Sequence, residues 1–217
     1  MEAPKFSQLR LLYPGCLQHG GTYSTDDVIQ LVLGVSAALP DDSRESVRHG
    51  DDAVRLSWTL NRYGGRHAIG RVPVGEDSFT GADGQQYIFR PEAFSRYLAA
   101  RYGDPLVHRP RPDAADPGPA WRPRQRRAWR ELAGRQGIAR VVRYVDGRKD
   151  SHVALWDCGR FYESRDWSSD PRVVTVEFWE AAGACRPVFK ILFIIFYPLC
   201  LQCSDTFGWA AGMASGL

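Results

Sequence analysis

The side chains able to do acid–base or nucleophilic chemistry are few and widely spaced. Asp52 opens the run Asp52-Ala-Val-Arg-Leu-Ser-Trp-Thr-Leu-Asn61, and His152 sits near the start of Ser151-His-Val-Ala-Leu-Trp-Asp157. The five cysteines are Cys16, Cys158, Cys185, Cys200 and Cys203, with none between Cys16 and Cys158. They are too scattered for a disulfide scaffold, and the redox compartment stays open. Cys200 and Cys203 form a C-x-x-C without a second pair or a nearby histidine, so no zinc site is indicated. By type alone, Asp52 is a good helix N-cap and His152 an ordinary strand histidine. Arg109 to Arg135 interleaves arginines with Trp121 and Trp129, a pattern that offers phosphates charge and bases stacking faces.

These residues need elements to hold them. A helix is expected over Thr25 to Leu39, capped by Thr25, with Val28, Leu31, Val32 and Val35 on one face. A second begins near Asp52, places Ala53, Leu56, Leu60 and Tyr63 at helical spacing and stops at Gly64-Gly65. Phe79 to Arg90 reads as a hairpin turning at Asp83-Gly84. Pro91 to Tyr102 is a third helix, with Pro91 in its first turn. The Arg109 to Arg135 segment reads as a surface insertion holding a short helix from Arg124 to Leu132. Strands follow at Ile138 to Val145, His152 to Trp156 and Val173 to Trp179, the first two separated by an Asp146-Gly147 turn. Helices first and antiparallel strands after them define an α+β class.

With 217 residues, 44% hydrophobic and 24% charged, the chain is long and apolar enough for one substantial domain. A net charge of +3 selects no partner class. The N-terminus lacks the apolar run of a Sec signal peptide. Ile191 to Leu201 is membrane-like, but it falls short of the ~20 residues a spanning helix needs, and Pro198 interrupts it. A buried or adhesive tail is expected there, with membrane association as the alternative.

Asp52 to Asn61, Gly81-Ala-Asp-Gly-Gln-Gln-Tyr-Ile-Phe-Arg90, the helix ending at Tyr97-Leu98, and Ser151 to Asp157 together resemble the fourth family of type VI secretion amidase effectors. The resemblance runs from about Val47 to Trp179. It implies a papain-like, NlpC/P60-type α+β domain over residues 5–182, with the insertion at about 109–135 and an appended hydrophobic tail at 183–217. It further implies hydrolysis of the γ-D-glutamyl–diaminopimelate bond of peptidoglycan stem peptides, delivery into a rival cell without a Sec signal, and an immunity protein as partner. No metal or organic cofactor is implied. By the same resemblance His152 is the base, and Glu163 is its orienting carboxylate ahead of Asp157 and Asp166.

The chain departs from that pattern where the nucleophile belongs. Family members open the first segment with a cysteine, whose thiolate is favoured by the positive end of a helix; this chain has Asp52. A carboxylate attacks amides far less readily than a thiolate, and an ionised one beside His152 favours the imidazolium, which cannot act as a base. Cys16 and Cys158 are the candidate substitutes. Cys158, six residues beyond His152, would lie about 20 Å away on a continuing strand. The expectation is an amidase scaffold with impaired chemistry. The alternatives are a catalytically silent homologue that binds a stem peptide or an immunity-like protein, and a nucleic-acid binder acting through the basic segment.

Overall fold

The computed structural model describes residues 2–34, 51–108 and 121–185. Helix α1 (Phe6–Leu12) enters the core through Phe6 and Leu9. It is tied to the far end of the chain by backbone bonds from Phe6 N to Ala182 O and from Ala182 N to Pro4 O, both 2.8 Å.

Helix α2 (Thr25–Leu33) is shorter than expected and starts from a different cap. Ser24, not Thr25, is the N-cap: its Oγ accepts from the Asp27 amide while the Asp27 carboxylate accepts from Ser24 N, a reciprocal capping box. Thr25 instead donates its hydroxyl to Asp51, 2.7 Å away. Gly34 closes the helix with its amide on Gln30 O. Residues 35–39 lie outside the described residues.

Helix α3 (Asp51–Tyr63) has the expected inward face of Ala53, Leu56 and Leu60. Asp52 is therefore inside the first turn and not the cap. Val54 points into a second cluster with Val28, Val32 and Tyr87. Ser57 Oγ donates to Ile88 O and accepts from Ile88 N, fixing α3 to the small sheet. That sheet pairs β1 (Ser78–Thr80) with β2 (Gln86–Ile88) around the expected Asp83-Gly84 turn. Helix α4 (Pro91–Tyr102) has the expected bounds and buries Phe94 and Leu98.

The larger sheet contains β3 (Leu106–His108), β4 (Gln136–Val145), β5 (Arg148–Asp157), β6 (Arg160–Phe161) and β7 (Val173–Glu180), in the order β3-β7-β4-β5-β6, all antiparallel. β4 and β5 meet through a two-residue turn in which Asp146 and Gly147 both have positive φ (50° and 74°), the requirement of a type I′ hairpin. Helix α3 lies on β5, which brings its first turn to the sheet.

The insertion keeps its expected helix from Arg124 to Leu132 but extends it and packs it on the core. Residues 109–120 lie outside the described residues, but 121–132 form helix α5 (Trp121–Leu132), whose Ala128 and Leu132 are fully buried. Trp129 stacks on Trp156 with centroids 5.2 Å apart, so it is a core residue and not a free stacking platform for bases. The expected tail segment from residue 186 onward lies outside the described residues. Among those that are described, no helix is long and apolar enough to cross a membrane.

Candidate active site

The first turn of α3 and the middle of β5 supply the centre of the site. Residue alternation along β5 sends the His152 side chain to the face that α3 covers, where it is 2% exposed. Asp52 Oδ2 accepts from His152 Nδ1 at 2.7 Å. The other ring nitrogen, Nε2, is 3.3 Å from Ser164 Oγ, and Ser164 donates to Asp52 Oδ1 at 2.8 Å. The three side chains thus close a ring of hydrogen bonds across residues that the sequence separates by 100 and 112 positions.

Aromatic walls fix the imidazole. Trp167 stacks on it with centroids 5.1 Å apart and planes at 22°, and Phe161 meets it edge-on at 5.0 Å. Arg143 lies 3.8 Å from the Trp167 ring centroid and is held by Asp150 and Asp170. A cation over the indole, with the imidazole stacked on the same indole, locks the ring's orientation. Tyr13, from the turn after α1, comes close enough to Ser164 to feel its hydroxyl, yet its own Oη makes no well-formed hydrogen bond and is buried.

The protonation states follow from these contacts. Burial alone would raise the Asp52 carboxyl, but the charge and hydrogen bond of His152 and the hydrogen bond from Ser164 outweigh it, so the group is held below the usual carboxylate range. Burial pushes the Tyr13 hydroxyl well up, which keeps it a neutral O–H donor. With Asp52 ionised and Ser164 donating to it, Nε2 bonds Ser164 only as N–H. If Ser164 instead turns its hydrogen to Nε2, a neutral ring satisfies the same contacts. Two proton arrangements share one set of heavy-atom positions.

Of the residues expected at the site, Asp52 and His152 meet. Glu163 does not contact the imidazole. Its carboxylate lies against Gly15, where an added Cβ would collide with Oε2, and next to the Tyr162 hydroxyl. The residue after it, Ser164, takes the second ring nitrogen instead. Asp157 accepts from Gln136 Nε2, and Asp166 accepts from the Ser168 amide. Cys158 is disulfide-bonded to Cys185, so it offers no thiol in this state and one cysteine pair is bridged after all. Cys16 is free, and its amide bonds the Glu163 carbonyl. Ser164 had no sequence signal of its own, because a lone serine in an irregular segment carries no periodicity and no spacing motif.

No cluster of His, Cys, Asp and Glu among the described residues is arranged to hold a metal ion. No protein-family model matches the chain, and no curated protein matches it in sequence. Solved structures do match. The type VI effector Tae4 from Enterobacter cloacae is similar with a TM-score of 0.54 at 18% identity, covering 83% of this chain and 99% of that one. Tae4 from Salmonella Typhimurium, solved in complex with Tai4, is similar with a TM-score of 0.55 at 19% identity over 82% of this chain and 98% of its own. Tae4 from Salmonella typhimurium bound to the immunity Tai4 from Enterobacter cloacae gives 0.53 at 20% identity, over 82% and 99%. From α1 to β7, this chain has the α+β fold of the Tae4 type VI effectors.

Proposed function

We propose that this chain is an amidase-type effector of the type VI system, directed at the γ-D-glutamyl–diaminopimelate bond of peptidoglycan stem peptides, in which Asp52 has removed cysteine-type hydrolysis. The papain-like, NlpC/P60 character belongs to the same reading, as do delivery to a rival cell's periplasm and an immunity protein as partner. One observation carries it. The first turn of α3 faces the β5 imidazole at 2.7 Å, so the position from which a thiol would be activated is present and holds a carboxylate. The likeness to effectors solved with Tai4 supports the choice of partner.

The test is digestion of purified sacculi by wild type and Asp52→Cys, with released stem peptides measured by chromatography. A thiol at that helix start, beside His152, should raise release by at least ~10²-fold over wild type, in the range expected for restoring an activated nucleophile. A folded Asp52→Cys protein that releases stem peptides no faster than wild type overturns the reading.

A silent binding protein is the second reading, favoured by the same Asp52 and by an enclosed centre in which Ser164 is 5% exposed. It predicts heat on titration with a stem peptide but no release from either protein.

A further inference from the structure

The wall around His152 is tied down from a distant part of the chain. We propose that the Cys158–Cys185 disulfide is a redox-operated staple. Closed, it holds the β5–β6 turn, and with it Phe161, against His152; opened by a thiol reductant, it frees that wall. The proposal deepens the reading above by adding a form of regulation, and it rests on that reading for the two compartments between which the pair changes state.

Three observations converge. The first is the place of the bridge. Cys158 lies in the turn between β5 and β6, and Cys185 lies beyond the end of β7, 27 positions later. β6 is a two-residue edge strand that pairs only with β5, and pairing that short gives little hold of its own. Yet it presents Phe161, whose ring meets the imidazole at 5.0 Å and Trp156 at 5.4 Å. The second is what else holds the two ends. The turn is docked by Cys158 N on Arg135 O at 2.9 Å and Gly134 N on Cys158 O at 2.8 Å. Cys158 has φ +62°, which a residue bearing a side chain keeps only where its surroundings impose it. On the other side, Ala181 and Ala182 are bonded to Gln136 and Pro4, but among the described residues no backbone hydrogen bond reaches Gly183, Ala184 or Cys185. The bridge fastens the end of that segment. The third is access. Both cysteines are half-buried, and their neighbours Gly159, Arg160 and Ala184 are exposed, so a small thiol can reach the sulfurs.

In the exchange, a thiolate of the reductant attacks one sulfur of the bridge, the S–S bond breaks, and the other sulfur leaves as a thiolate that takes up a proton. A second thiol of the reductant then attacks the mixed disulfide. Two protein thiols form as two reductant thiols become one disulfide. The reverse runs with an oxidised thiol pair such as glutathione disulfide. Cytosolic thiol pools favour the open form and an oxidising periplasm the closed one. A chain carried from the first to the second completes the wall of its site on arrival.

The test equilibrates the full-length protein with reduced or oxidised glutathione, blocks free thiols with iodoacetamide and maps Cys158 and Cys185 by peptide mass spectrometry. Thermal melts and the imidazole NMR signals of histidine-labelled protein follow the consequences. The pair should be bridged in the oxidised buffer and open in the reduced one, and opening should lower the melting temperature by about 10 °C. The His152 signal, identified by its loss in His152→Gln, should move on opening. That of His67, packed between Tyr63 and Tyr102 in a separate aromatic group, should stay. The Cys158→Ser, Cys185→Ser double variant should match the open state in both buffers. A bridge that fails to form in the oxidised buffer, or persists in the reduced one, overturns the proposal. So does an opening that leaves either the melting temperature or the His152 signal unchanged, or that shifts His67 as much as His152. None of these readouts uses a stem peptide. Failure of Asp52→Cys to digest sacculi sinks the functional reading and leaves the redox result standing.

Discussion

Asp51 and Asp52 are adjacent carboxylates in the first turn of one helix, in the same favourable dipole field, and the protein treats them oppositely. Asp51 faces α2 and the interior of the helix layer. It accepts from Thr25 at 2.7 Å and from Arg55 Nε at 3.3 Å and Nη2 at 3.2 Å, and the fully buried Arg55 goes on to bond the Pro14 and Tyr23 carbonyls. That side is anchored to backbone. Asp52 faces the sheet, and its partners are side chains that can exchange protons, His152 and Ser164. Burial and the neighbouring Asp52 charge raise Asp51, in spite of Thr25 and Arg55, while Asp52 is lowered. Residue type and helix position are shared, so the difference comes from what each side chain touches. One carboxylate serves the frame and the other serves the chemistry.

Asp51→Ala is the largest expected blow to stability. It strands a guanidinium that is buried and cannot lose its proton, and breaking one half of such a pair costs about 3 kcal/mol here, at the low end of the range because two carbonyls still hold Arg55. Urea unfolding should show the loss. In the folded fraction, stem-peptide release by the Asp51→Ala, Asp52→Cys double variant should match that of Asp52→Cys alone. If Asp51→Ala instead spares stability and abolishes that release, the division of labour between the two residues is wrong.

The frame side was the more legible in the sequence. The inward spacing of Ala53, Leu56 and Leu60, the Gly64 stop, the Pro91 start and the Asp146-Gly147 turn all follow from local rules, and those elements appear where the rules put them. Thr25 looked like a cap because it precedes two aspartates, yet Ser24 and Asp27 satisfy each other, and Thr25 serves Asp51 instead. Helix α1 was missed because seven residues are too short for periodicity to register, and the edge strands β3 and β6 are shorter still. In α5 the expected helix from Arg124 to Leu132 is present but begins at Trp121, and its arginines hid the core role of a stripe made only of Ala128, Leu132 and half-buried Trp129. At the site, a motif could point to Asp52 and His152. It pointed to Glu163, ahead of Asp157 and Asp166, and gave no sign of Ser164, which an irregular segment brings beside the ring.

The aromatic wall offers a smaller perturbation on the Asp52 side. Trp167 is buried and touches both the imidazole and Arg143, so Trp167→Leu loses volume and both ring contacts, about 2 kcal/mol. Trp167→Phe keeps a ring for both neighbours and should recover about half of that. Equal losses for leucine and phenylalanine in thermal melts would reduce Trp167 to core filling. A graded loss would show that ring contact with His152 and Arg143 contributes beyond volume.

The smallest effect is the most specific to the comparison. A carboxyl whose folded value is lowered adds stability above its unfolded value, about 3.9, and loses that contribution as pH falls through the folded value. Asp52 has this sign, and Asp170, held by Arg172 and Arg143, shares it. Asp51, raised, has the opposite sign: its ionised form is a burden that acid relieves. Asp52→Asn exchanges a charged acceptor for a neutral one facing two donors, about 1 kcal/mol at pH 7. Its deficit against wild type should hold steady down to about pH 4 and shrink below it as wild-type Asp52 takes up its proton. The matching Asp51→Asn series should not show that closing gap, since acid there removes a penalty from wild type. Parallel curves for the two variants between pH 7 and 3 would mean that the adjacent carboxylates are electrostatically equivalent, and that contact with His152 and Ser164 does not set the state of Asp52.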